Sequence, residues 1–129
     1  MADDVAPLDV AKAVAADALF WRRVPADWIV FDDNLGRRRP SSAAFDDDRD
    51  GGPMSMYEAN AGNTVDDILV KHESYGVVSL TGAQLSAMGF QVFSRPEPGF
   101  PAHVEVAGKK TSGLKSKMAK GCVWVREPA

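Results

Sequence analysis

The sequence predicts a single α+β domain with a mixed, largely antiparallel sheet and three to four short helices. Two observations lead there. Apolar segments alternate between a period of two and a period near 3.6, and they interleave in the order α, β, β, α, β, α, β, β, α, β. Each segment is short and is closed by Gly, Pro, Asn or Asp punctuation, which suits compact packing rather than a repeat array. With 129 residues, 45% of them hydrophobic, one core can form without a disulfide or metal staple. Residues 1–129 are therefore read as one domain, with 1–7 expected to be flexible.

The first element is expected to be an Ala-rich helix over residues 8–21. Leu8, Ala11, Val14, Ala15, Ala18 and Leu19 recur at helical spacing. Arg22 and Arg23 suit its C-terminal end, and Pro25 stops it. Trp28 to Phe31 is a β-rich apolar run, and Asn34 and Gly36 supply a turn after it. The following stretch, through Ser42, is expected to be a loop. Asp50-Gly51-Gly52-Pro53 then marks a turn before a strand at 54–57.

Thr64 and Asp67 have the spacing of a capping box that opens a helix through His72. A buried-type strand is expected at 76–80. Thr81 and Gln84 form a second capping box for a helix through Met88, with Gly89 as its C-terminal cap. Strands follow at 90–94 and 102–106. A basic helix over 111–120 closes at Gly121, and a last strand occupies 122–125.

Net charge is -3, unevenly placed. Residues 1–60 carry 12 acidic and 7 basic side chains, whereas 61–129 carry 6 and 8, with lysines concentrated near the end. That basic excess suits a solvated helix face or an acidic partner. The single cysteine, Cys122, excludes an internal disulfide and a cysteine-based zinc site, and favours a reducing compartment. Neither a signal-type apolar region nor a run of about 20 apolar residues is present. A cytoplasmic location is expected, and neither a membrane nor a nucleic acid is expected as a partner.

No P-loop or dinucleotide fingerprint occurs. The Phe45–Gly52 run, FDDDRDGG, does not place oxygen ligands and glycine in the register of a calcium loop, so no metal is expected. Ser-His-Asp catalysis and a two-histidine site lack any supporting spacing. The best candidate site is the expected loop from Asp32 to Ser42. It offers Asp32, Asn34, Arg37, Arg39, Ser41 and Ser42, joined by His103 and the C-terminal lysines, as a surface for a protein partner or a small anionic ligand. That reading is of a binding module without a cofactor.

Residues 37–72, RRRPSSAAFDDDRDGGPMSMYEANAGNTVDDILVKH, support a second reading. The run resembles the central part of RES-domain proteins, bacterial NAD-consuming toxins related to ADP-ribosyltransferases. In that family an arginine precedes a Gly-Pro turn, a strand ending in tyrosine follows, and a helix carries an acidic residue shortly before a histidine. The resemblance would set Arg39 or a neighbouring arginine against the NAD phosphates and Tyr57 beside the nicotinamide. Asp66 or Asp67 would be the catalytic acid, followed by His72. It implies cleavage of NAD, or transfer of its ADP-ribosyl group, with a carboxylate stabilising the developing ribosyl cation. Here aspartates stand where the family has a glutamate.

Overall fold

A computed structural model describes residues 10–48 and 52–128. Residues 1–7, expected to be flexible, lie outside the described residues. Among the described residues eight strands and three α-helices are formed: β1 (Leu19–Val24), β2 (Ile29–Asp32), β3 (Arg37–Pro40), β4 (Met54–Glu58), α1 (Val65–Ile68), β5 (Gly76–Thr81), α2 (Gly82–Ala87), β6 (Gln91–Ser94), β7 (His103–Ala107), α3 (Ser112–Gly121) and β8 (Val123–Arg126). Six strands make one sheet in the order β6-β7-β4-β1-β5-β8, and β2 and β3 form a separate two-stranded sheet. Every ladder in both sheets is antiparallel. The α+β class is as expected.

Period-two alternation gives the large sheet two buried faces. Phe20 and Val24 of β1, Met54 and Met56 of β4, Val78 and Leu80 of β5 and Val104 and Val106 of β7 point to one side. There they pack against Leu85 of α2, Met118 and Ala119 of α3, and Ala44 and Phe45 of a 3-10 turn at Ser42–Phe45. The other side carries Trp21, Tyr57 and Val77, covered by Ile68 and Leu69 at α1 and flanked by Tyr75 and Phe100. Helix starts follow the sequence signals. Thr64 with Asp67, and Thr81 with Gln84, form complete capping boxes, and the Thr111 hydroxyl accepts from the Leu114 amide.

Three elements differ from expectation. No helix forms in residues 10–18, and the expected helix end becomes β1. Helix propensity is a weak prior that tertiary bonding overrides. The backbone of this segment is claimed by its neighbours: Lys12 N donates to Val92 O at 2.8 Å, Gly82 N to Ala18 O at 2.8 Å and Ala83 N to Ala16 O at 3.0 Å. Gly82 permits this approach, since a Cβ there would lie 2.1 Å from Ala15 O.

The expected Asp32–Ser42 loop is instead a β-hairpin followed by the start of a 3-10 turn, with Asp32 opposite Arg37 and Ile29 opposite Pro40. Three consecutive arginines carry little strand propensity, so the second strand is invisible to local patterning. The third difference is α1, which ends at Ile68 rather than reaching His72. Lys71 adopts φ 66°, and its amide donates to Glu73 Oε2 at 2.9 Å, so the chain turns away from the helix axis.

Candidate functional site

The hairpin is the favoured site on sequence, and its Asp32, Arg37 and Arg39 prove to be engaged. Asp32 Oδ2 accepts from Arg39 Nε at 2.6 Å, and Asp32 Oδ1 accepts from the Leu35 amide at 3.0 Å. The Arg39 hydrogen bond, then the Leu35 amide, hold the Asp32 carboxyl below its ordinary range. Arg39 Nη1 donates to Pro40 O at 2.8 Å, and Arg37 Nη2 donates to Lys120 O at the C-terminal end of α3 at 3.0 Å. Ser41 N donates to Trp28 O at 2.7 Å, and Ser42 begins the 3-10 turn. Asn34 is exposed in the turn itself.

Beside exposed polar groups the hairpin also leaves apolar side chains open. Phe31 is 63% exposed, Leu35 42% and Val30 38%. A groove of about 400 Å³ beside them is lined by Ile29, Val30, Phe31, Arg38 and Pro128 among others. The hairpin is tied to the main sheet, because Trp124 Nε1 of β8 donates to Arg38 O at 3.2 Å.

His103 lies elsewhere, buried in β7 and paired with Tyr57 of β4. Its Nδ1 is hydrogen-bonded to Arg95 O at 2.8 Å, and its ring meets that of Tyr57 edge-on at 5.4 Å. Two of the C-terminal lysines are structural. Lys110 Nζ donates to Asp47 Oδ1, Val106 O and Gly108 O, and Lys115 pairs with Asp46 at 2.6 Å.

A second concave region arises from a fault in the large sheet. The β1–β4 ladder contains two register pairs, Phe20↔Glu58 and Trp21↔Tyr57, after which the strands part. Arg22 spans the gap: Nε donates to Ala44 O at 2.9 Å, Nη1 to Ser55 O at 2.6 Å and Nη2 to Asp46 O at 3.2 Å. Burial pulls the Arg22 pKa down, and Asp48 at 3.9 Å opposes that shift. Clefts open near this bridge. One, of about 460 Å³, is lined by Arg23, Trp28, Asp48, Tyr57, His72 and Tyr75 together with Arg22.

Within that cleft Arg23 Nη1 donates to Ile68 O at 3.0 Å, and its guanidinium lies 5.5 Å from the Tyr57 ring centre. It makes no ion pair among the described residues. Tyr57 is 5% exposed, and burial pushes its phenol pKa up. Its hydroxyl has no hydrogen-bond partner among the described residues, yet no buried side-chain polar atom there is left unpartnered. The hydroxyl is therefore not fully enclosed, and Tyr57 belongs to the cleft lining. His72 packs on Tyr75 at 4.8 Å, and burial followed by the nearby Arg23 charge lowers its pKa, favouring neutral imidazole.

Asp67 is spent on its capping box. Its Oδ2 accepts from Thr64 N at 2.8 Å, an interaction that also lowers its pKa. Asp66 pairs with Arg126 at 2.6 Å. Of the residues suggested by the RES resemblance, Tyr57 and His72 share the cleft, whereas Arg39 sits on the hairpin and Asp67 caps α1. Sequence reasoning missed Arg23, Asp48 and Tyr75 as neighbours. The one available signal was the Trp21–Arg23 spacing, which places both on one face once residues 19–24 are read as a strand.

Among the described residues no group of three or more His, Cys, Asp or Glu is placed to hold a metal ion, and no helix is long and apolar enough to cross a membrane. No family model, curated protein or solved structure matches the chain.

Proposed function

We propose that this protein is a binding module that docks a protein partner through the β2–β3 hairpin. The observation that carries the reading is the 63% exposure of Phe31, flanked by exposed Val30 and Leu35 on a hairpin where Asp32 pairs with Arg39 and Arg37 is bound to α3. Clustered exposed apolar side chains mark interaction surfaces, and aromatic residues are enriched in the centres of such interfaces. Arg38, half exposed beside the groove and 3.9 Å from Glu127, suits a partner carrying an acidic residue next to an apolar one. The test is cross-linked capture from cells with wild type, Phe31→Ser and the control Val70→Ser. A partner captured by wild type and control but lost with Phe31→Ser supports the reading. Equal capture by all three excludes the hairpin.

A second reading, NAD cleavage, draws on Tyr57 lining a cleft beside Arg23. It must find another acid, since Asp67 is held by Thr64. Asp48 is the carboxylate in that cleft. Nicotinamide release from NAD that disappears with Tyr57→Phe would favour this reading. Absence of release from folded wild type would remove it.

A further inference from the structure

We infer that the Arg23–Tyr57 cleft is a binding site for a small aromatic anion, a planar ring bearing one carboxylate or phosphate. This inference is independent of the hairpin reading. Two groups in the cleft keep unused hydrogen-bonding capacity among the described residues. Arg23 spends one donor on Ile68 O and makes no ion pair among the described residues. Tyr57, which is 5% exposed, lines the same space, and its hydroxyl has no protein partner among the described residues. The guanidinium lies over the Tyr57 ring, 5.5 Å from its centre. A guanidinium and a phenol in one cleft suit an oxyanion, because charge-assisted hydrogen bonds to such a group are the strong ones.

The rest of the lining selects the body of the ligand. Trp28, Tyr75 and His72 contribute rings to the lining, and a volume of about 460 Å³ accommodates a ring with its substituents. The lining also limits charge. Arg22 is already committed to three carbonyls, and the Asp48 carboxylate disfavours a second anionic group. Asp48 Oδ2 accepts from Ser55 Oγ at 2.7 Å and retains capacity for a donor on the ligand.

The experiment is an NMR titration of the full chain with adenosine 5′-monophosphate and 4-hydroxybenzoate, against the neutral adenosine and 4-hydroxybenzamide and against inorganic phosphate. The expected result is that at least one aromatic anion shifts the Arg23, Tyr57 and Tyr75 signals. Its neutral counterpart and inorganic phosphate should bind at least about tenfold more weakly. Arg23→Gln should weaken the anion about tenfold or more, Arg23→Lys less, and Tyr57→Phe should weaken it with the fold retained. Thermal melts verify folding, and Tyr57→Phe serves if Arg23→Gln does not fold. Three outcomes overturn the inference: cleft signals unmoved by either anion up to about 10 mM, binding unchanged by these variants, or phosphate alone binding as well as the aromatic anions.

Discussion

Trp21 and Tyr57 are the last paired residues of the β1–β4 ladder, and beyond them the sheet is held together by a side chain. Arg22 donates to Ser55 O where a backbone amide would otherwise do so. The same parting of strands brings Arg23 and Tyr57 to one open face.

Arg22→Met should therefore act on stability through hydrogen bonding. It leaves the carbonyls of Ala44, Ser55 and Asp46 without this donor. The expected loss is about 2–4 kcal/mol, read as a lower urea midpoint. A loss under about 0.5 kcal/mol would mean that water replaces the guanidinium without cost.

Phe31 and Met56 should separate stability from binding. Met56 is fully buried in the main core, so Met56→Ala should cost about 2–5 kcal/mol. Phe31→Ser should cost under about 1 kcal/mol, because the ring is largely in water already. Thermal and urea unfolding of the two variants checks the contrast.

Asp32 should make the hairpin acid-sensitive. Its folded pKa lies below the ordinary carboxylate value, chiefly through Arg39, so its contribution is present in full above the unfolded value. That contribution is lost as pH falls through the lowered folded value. Asp32→Asn should be less stable than wild type at neutral pH and should decline less steeply in acid. Urea midpoints followed from about pH 6 to about pH 2 measure both effects.

Cys122 should be inert in the native protein. Burial pushes its thiol up to about 11, and Sγ donates to Ala119 O at 3.5 Å. At neutral pH the thiolate fraction is then about one in ten thousand. Iodoacetamide should label the residue only as the protein unfolds, with labelling and urea transitions coinciding. Fast labelling of native protein would contradict the buried placement.

Local chemistry in the sequence was enough to set the helix starts and several strands. Thr64 with Asp67, and Thr81 with Gln84, satisfy orphan amides within one turn, so their partners lie three residues apart and can be read directly. Met54 and Met56, like Val104 and Val106, show their buried face by alternation alone. The α+β class followed from these short-range signals. Tertiary structure decided the rest. Residues 10–18 look helical by composition, yet their backbone groups bond to β6 and to the start of α2, contacts no local pattern encodes. Arg37–Pro40 became a strand because Asp32 secures Arg39 and α3 offers a carbonyl to Arg37. The cleft was hidden for the same reason. Arg23, Tyr57 and Tyr75 come from separate elements, and only the parting of β1 from β4 leaves them facing one space.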